Sequence, residues 1–274
     1  MSQRIYKPPF PLSQYVEYLW RTSNVGISSS RQRVYPNGAM ALVIHLKKPT
    51  ASYYFDDRVL TVRVPLLAGP YSISFHMDPS ESTEVIGVLF RPGGGRVFFP
   101  VAAHELHNND VALSELLPGE ADRLLNDLCV AAGEDAQFVV VEQYLHRKLK
   151  DAVPLHPAVR YAIEQLSGVN ALRSIRKIQL ETGFSHTRFI QLFREQVGLT
   201  PKLFGRVRRF HALLGRIEKG LPVNWAELAA DYGYFDQAHL IHDFHAFAGV
   251  TPLEYSRPAM PDPGRKLVVA AASS

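Results

Sequence analysis

Gly183-Phe184-Ser185-His186-Thr187-Arg188-Phe189-Ile190-Gln191-Leu192-Phe193, followed by Gly198-Leu199-Thr200-Pro201, returns further along the chain in altered form. The second copy reads Gly233-Tyr234-Phe235-Asp236-Gln237-Ala238-His239-Leu240-Ile241-His242-Asp243-Phe244, followed by Gly249-Val250-Thr251-Pro252. Phe193 and Phe244, Gly198 and Gly249, Pro201 and Pro252, and Phe204 and Tyr255 all stand 51 positions apart. A fixed offset of this kind marks one supersecondary unit built twice. Each copy reads as helix, tight turn, helix. Gly183 supplies the positive φ that such a turn demands and that other residues adopt only at a cost. Ser185, and Asp236 in the second copy, are suited to cap the helix that follows. Phe189 and Phe193, like Leu240 and Phe244, lie four apart and share one inward face. Gly198 and Gly249 read as helix stops, and each Thr-Pro after them as a cap followed by proline at the first helical position. Thr251-Pro252-Leu253-Glu254 completes a capping box. Leu172, Ile175 and Ile178 give the apolar face of the helix before the first turn, and a long helix over about Pro201–Lys219 joins the two units.

The rest of the chain divides around this repeat. At 274 residues and 46% apolar content there is room for two domains with cores. Residues 1–156 hold 15 Lys and Arg against 16 Asp and Glu, whereas residues 157–258 hold 13 against 9. The basic excess therefore travels with the repeat, as a module docking on phosphates requires. No stretch approaches the roughly 18 apolar residues of a membrane span. Met1–Pro9 lacks the apolar core of a signal peptide, so the expected location is the cytoplasm. The single Cys129 excludes an internal disulfide and any cysteine-cluster zinc site, and is expected to be a small buried hydrophobe.

Over residues 1–113 short apolar runs alternate with turn signals. Arg33–Tyr35, Ala39–Leu46, Tyr53–Phe55, Val59–Val64, Tyr71–Phe75 and Glu84–Phe90 read as strands, punctuated by Pro36-Asn37-Gly38, Asp56-Asp57, Gly69-Pro70 and Asp78-Pro79. Phe90-Arg91-Pro92-Gly93-Gly94-Gly95 closes this region. The pattern predicts an antiparallel sandwich or barrel. From Ser114 the spacing becomes helical, through Leu116, Leu124, Leu128, Phe138, Val141 and Leu145. Val153-Pro154-Leu155-His156-Pro157 is the boundary, because its prolines interrupt helices. The fold class is α+β: a β-rich domain at 1–113, a helical linker or dimerisation segment at 114–153, an all-helical domain at 156–257 and a disordered tail at 258–274.

With those motifs in view, residues 156–257 resemble the DNA-binding domain of AraC/XylS-type transcription regulators, two helix-turn-helix units on a connecting helix. Gln179 departs from the alanine usual in the first unit, which Ala229 keeps in the second, and Phe235 replaces a usual serine. The resemblance implies that the second helix of each unit enters one of two successive major grooves of double-stranded DNA. His186, Thr187, Arg188, Ile190 and Gln191 are then the candidate base contacts of the first unit. Gln237, Ala238, His239, Ile241 and His242 are those of the second. Arg and Gln can grip purine edges in pairs of hydrogen bonds, and small methyls can touch thymine. Arg194, Lys202, Arg206, Arg208 and Arg209 are the candidate phosphate contacts. The second reading helix carries histidines where the first carries Arg188. Their protonation near pH 6 would strengthen the hold on DNA.

The resemblance also implies a cupin-like sensor barrel in the first half, an effector of unidentified chemistry, and RNA polymerase or a second copy of the chain as further partners. Tyr35-Pro36-Asn37-Gly38 and Phe90-Arg91-Pro92-Gly93-Gly94 look similar to a sensor type of poorly characterised members. Both are also ordinary turn and strand-end chemistry. Tyr53, Tyr54 and Tyr71 either line a pocket or pack the core, core packing being expected. No catalytic residues, metal or cofactor are expected. His45, His76, His104 and His107 are scattered, His104-Glu105-Leu106-His107 is not zincin spacing, and His239, His242 and His245 drift around a helix. Gly93-Gly94-Gly95 lacks the Lys-Ser/Thr of a phosphate loop. The alternative function is a barrel enzyme or a metal or small-molecule binder fused to a DNA-binding module.

Overall fold

The computed structural model describes residues 2–23, 31–78, 84–150, 152–167, 174–220 and 224–256. Leu172, Pro79 and everything from Arg257 onward, including the tail expected to be disordered, lie outside the described residues.

The N-terminal region is two antiparallel sheets. The larger is built from β1 (Ser2–Tyr6), β2 (Val16–Ser23), β4 (Ala41–His45), β7 (Leu66–Ala68), β9 (Glu84–Phe90) and β10 (Asp110–Ala112), in the order β1-β2-β9-β4-β7-β10. The smaller is β3 (Gln32–Val34), β5 (Thr50–Tyr54), β6 (Val59–Arg63) and β8 (Phe75–Met77), in the order β3-β8-β5-β6. No ladder joins the two sheets among the described residues, so the barrel expected from the strand pattern stays open as two facing sheets. The run at Tyr71–Phe75 is a strand only from Phe75 onward, because Gly69-Pro70 and a bend at Ser72-Ile73 precede it. The strand region also extends past the glycines, since β10 pairs with β7 through Asp110↔Ala68 and Ala112↔Leu66. Gly94 and Gly95 open a short helix, α1 (Gly94–Phe98), and are buried rather than a flexible loop.

Helices α2 (Leu113–Leu116), α3 (Glu120–Val130) and α4 (Glu134–Leu149) follow. Leu124 and Leu128 of α3 and Phe138, Val141 and Leu145 of α4 share one core with Leu19, Leu42, Ile86 and Val88 of the larger sheet. The segment read as a linker is thus the outer layer of the N-terminal core. Cys129 is exposed on α3, contrary to the expected burial, because the helix turns it away from the face that Leu124 and Leu128 present.

The C-terminal region is α5 (Pro157–Ser167), α6 (Ile175–Glu181), α7 (His186–Val197), α8 (Pro201–Ile217), α9 (Trp225–Asp231), α10 (Gln237–Ala248) and α11 (Pro252–Ser256). Phe189, Phe193, Phe204, Phe210, Leu240 and Phe244 are fully buried in one core. Truncating any of these phenylalanines to alanine typically costs about 3–5 kcal/mol. The termini are closed as the residues require. Ser185 accepts a hydrogen bond from the Arg188 amide, Thr200 from that of Leu203 and Asp236 from that of His239. Glu254 accepts from the Thr251 amide at 2.7 Å while Thr251 accepts from the Glu254 amide at 3.2 Å, the reciprocal pair of a capping box. Gln179 uses its extra length: its Nε2 donates to the Phe184 carbonyl and braces the first turn.

Candidate nucleic-acid interface and the cavity behind it

In each helix-turn-helix unit the caps fix one helix end and the buried phenylalanines fix its rotation, so the outward residues are determined. On α7 these are His186, Thr187, Arg188 and Gln191, all exposed, while Ile190 is half-buried against the core. On α10 they are Gln237, Ala238, Ile241 and His242. His239 is only half-exposed and turns back into its own helix start. Its Nδ1 accepts from the Phe235 amide at 3.3 Å, and its ring stands edge-on to Tyr234. His242 points outward, with Nδ1 3.9 Å from Asp243 Oδ1. Phe235, at the turn before α10, is 93% exposed.

The expected phosphate contacts separate into two groups. Arg194 and Lys202 are exposed, and the charge of Arg194, added to burial, pulls the His107 ring below its ordinary value. Arg206, Arg208 and Arg209 have protein partners instead. Arg206 grips Asp243 of α10 through Nε at 3.2 Å to both carboxylate oxygens and a second nitrogen at 2.7 Å, and it also lies over Phe247. Arg208 donates to the Asn37 carbonyl at 3.2 Å, and burial pulls its guanidinium below the ordinary value. Arg209 donates to the Gly233 carbonyl and covers the Tyr234 ring. Sequence could not separate these arginines. All three sit on α8, and what distinguishes them is which neighbour each meets.

The two sheets of the N-terminal domain enclose a cavity of about 170 Å³. Tyr53 and Tyr71 line it and also pack on Phe75, so they serve as wall and core together. Tyr54 is not among the lining residues; Arg31 lies over its ring. Arg91 faces elsewhere, pairing with Glu17 at 2.7 Å and donating to the Ser13 carbonyl, which makes it a strand-end brace. Asp110, which the sequence reading passed over, lies on the cavity wall and is 6% exposed. Burial pushes its carboxyl up from 3.8 to about 7, although the Tyr71 hydroxyl and the Gly69 amide draw it back.

That shift sets a pH dependence. An unfolded aspartate ionises near its ordinary value, whereas the folded one keeps its proton to about 7. Folding therefore loses stability as pH rises through this window, and the cost is fully present above it. Asp110→Asn removes the ionisation and is expected to stabilise the chain by up to about 4 kcal/mol near pH 8. Urea unfolding of both proteins near pH 5 and near pH 8 checks this; a gap that does not widen toward high pH rules it out.

The cavity wall meets the C-terminal region at several points, among them the Asn37 carbonyl that Arg208 reaches. On β3, Gln32 and Val34 face the cavity, so the intervening Arg33 faces out; it donates to the Ala248 carbonyl at the C-terminal end of α10. Tyr35 lines the cavity yet belongs to the C-terminal core, edge-on to Phe210 at 6.2 Å and Tyr255 at 5.6 Å. Pro70, between the lining residues Gly69 and Tyr71, meets Gly198 at the C-terminal end of α7. The turn Tyr35-Pro36-Asn37-Gly38 is therefore a joint between the domains. Its residue types signalled a turn; only the packing discloses the joint.

Among the described residues no three His, Cys, Asp or Glu side chains come together to hold a metal ion, and no helix is long and apolar enough to cross a membrane.

Two family models match separate parts of the chain. Residues 178–258 match a family described as a helix-turn-helix domain, and residues 4–112 match a domain of unknown function, DUF6597. No curated protein matches. Solved structures of ToxT from Vibrio cholerae are similar. One shares 11% identity at a TM-score of 0.46, covering 93% of this chain and 97% of that one. A second, ToxT of strain O395 bound to (E)-4-(8-methylnaphthalen-1-yl)but-3-enoic acid, shares 11% at 0.44, covering 93% and 98%. A third, unsaturated fatty acid bound wild-type ToxT of strain SCE256, shares 12% at 0.42, covering 86% and 96%. The chain carries a helix-turn-helix domain at 178–258 behind a DUF6597 domain at 4–112.

Proposed function

We propose that this transcription regulator reads a specific DNA site with α7 and α10, and that a small molecule held between its N-terminal sheets sets how firmly it does so. The observation that carries the reading is the joint itself. The cavity wall touches the C-terminal ends of both reading helices, through Arg33 at Ala248 and Pro70 at Gly198. The N-terminal turns of α7 and α10, where helix-turn-helix proteins meet base edges, are left exposed. A ligand that binds one arrangement of the sheets better than another would shift the spacing of those helices, and only such a difference in affinity can.

In this reading Arg188 and Gln191 of α7, with Thr187 and His186, address bases in one groove, and Gln237, Ala238, Ile241 and His242 those in the next. Arg194 and Lys202 position the chain on phosphates. Arg206, Arg208 and Arg209 hold α8, α10 and the domain joint in shape.

A gel-shift titration against the DNA upstream of the chain's own gene tests this. Arg188→Ala is expected to weaken the specific complex by about 1–3 kcal/mol and to relax preference at one base position. Lys202→Ala should weaken specific and unspecific binding alike and lower the salt slope by about one. Absence of any salt-sensitive specific complex, with or without added small molecules, would overturn the reading.

A further inference from the structure

The cavity between the sheets has a mixed wall. Trp20, Tyr53, Phe75, Val43 and Leu89 make most of it apolar. Four buried polar side chains interrupt that surface, on four different strands, one of them His45 of β4. Gln32 of β3 is 2% exposed, and neither its Oε1 nor its Nε2 has a hydrogen-bond partner among the described residues. Thr22 of β2 is 3% exposed, and its Oγ1 has none. Asp110 of β10 accepts from the Tyr71 hydroxyl through Oδ1 at 2.9 Å, while Oδ2 has no partner. Buried polar atoms almost always find partners, and one left over is costly. Several facing one enclosed space are the mark of a site waiting for a polar group.

The charge on the wall narrows the choice. No lysine or arginine is among the described lining residues, and Arg33, the nearest on β3, turns outward to α10. A carboxylate placed here would lie in one small cavity with Asp110 and without a guanidinium or ammonium to balance it. A hydroxyl or amine would instead donate to Asp110 Oδ2, and the Gln32 amide can both give and take a hydrogen bond. Size narrows it further. A cavity of about 150 Å³ holds benzene, and this one measures about 170 Å³.

We propose that the cavity binds a one-ring aromatic molecule that carries a hydroxyl or amine donor and no negative charge, anchored on Asp110 and Gln32. This rests on the reading of the cavity as the control site and names its ligand class. The ring fills the space between Trp20, Tyr53 and Phe75, and the donor satisfies the one acceptor the fold leaves open beside Tyr71.

A pH dependence separates the two donor types. The groups around Asp110 are the Tyr71 and Tyr53 hydroxyls and the Gly69 amide, with Arg58 acting on Tyr71 and His45 on the same wall. Because the Asp110 carboxyl is pushed up to about 7, it becomes an anion only in mildly alkaline solution. A cationic amine should bind more tightly as the pH rises past this value; a neutral hydroxyl should change little.

Ligand-observed NMR on the full chain with phenol, benzylamine and benzoate tests the proposal. Near pH 8, phenol and benzylamine are expected to bind and benzoate to bind at least about tenfold more weakly. Asp110→Asn should weaken benzylamine by about tenfold and phenol far less, since asparagine keeps an acceptor and loses the charge. Ala41→Phe, which fills the cavity, should abolish binding of both; circular dichroism shows whether that variant is folded, and Asp110→Asn carries the test if it is not. Benzoate binding as tightly as phenol overturns the proposed class while leaving ligand control intact. No binding by phenol or benzylamine overturns it as well. Binding of the donors with operator affinity unchanged supports the class and removes the control reading instead.

Discussion

Replacing Gly198 with alanine is expected to cost far more than replacing Gly183, although both glycines have positive φ, 93° and 73°. Around Gly183 an added Cβ meets nothing within 4 Å, so only the left-handed backbone is strained. That costs about 1–2 kcal/mol. At Gly198 the Cβ would stand 2.3 Å from Pro70 Cγ and 2.9 Å from the Ala103 carbonyl oxygen. One is a ring and the other is backbone, and neither can swing aside. Overpacking of this kind adds about 1–3 kcal/mol to the backbone strain. Relief comes only if the N-terminal domain lifts away from the end of α7. Urea unfolding of the two variants measures the difference, and proteolysis between the domains reports the opening. Equal costs at the two positions would mean that Pro70 and Ala103 do not press on α7. The same variant bears on function. If the sensor domain restrains the first reading helix through this contact, operator affinity in Gly198→Ala should respond less to any ligand.

The helix-turn-helix half was legible because its determinants are local. Ser185, Thr200, Asp236 and Glu254 cap helices within three residues of themselves, and each does so in the fold. The inward phenylalanines follow from helical spacing alone. The sheet half was legible only in part. β9 and β6 stand out as apolar runs, but β2 is covered on both faces, so its alternation is blurred, and β7 and β10 are three residues each. The cavity was legible only as the pocket alternative for Tyr53 and Tyr71, and its polar wall was not. Gln32 and Asp110 come from different sheets, and nothing near either residue signals the other. The same applies to α8. Arg208 meets Asn37 across 171 positions, so no pattern within the helix marks it as a joint rather than a phosphate contact.

These placements explain a division of labour in the reading helices. The N-terminal domain meets their C-terminal ends, while the residues proposed to touch bases cluster near the N-terminal turns. Contact with the one end leaves the other free, so control and reading need not compete for the same surface. The two helices are nevertheless held differently. α7 is pressed at Gly198 by carbon and carbonyl contacts, whereas α10 is capped by the charged Arg33 at Ala248. A guanidinium at a helix C-terminus is favoured by the helix dipole.

Loss of Asp243 should be among the most damaging single changes on the second unit. Its carboxylate is 2% exposed and receives the Arg206 fork from α8, which sets the distance and rotation of α10 against the connecting helix. His239 and His242 approach the same carboxylate at 3.8 and 3.9 Å from their own helix. Asp243→Ala leaves the Arg206 guanidinium part-buried over Phe247 with no anion, and breaking such a pair from one side costs about 3–5 kcal/mol. Arg206→Met breaks the pair from the other side and leaves the buried Asp243 carboxylate with only the two histidines nearby, so it should cost a similar amount. Both single changes are therefore expected well below the native chain, with the double change Asp243→Leu/Arg206→Met near it. Thermal unfolding of the three variants measures it. A double variant as unstable as Asp243→Ala would show that the pair's worth lies in the carboxylate's contacts with His239 and His242. An operator footprint would then be lost first over the second groove, because α7 keeps its own caps.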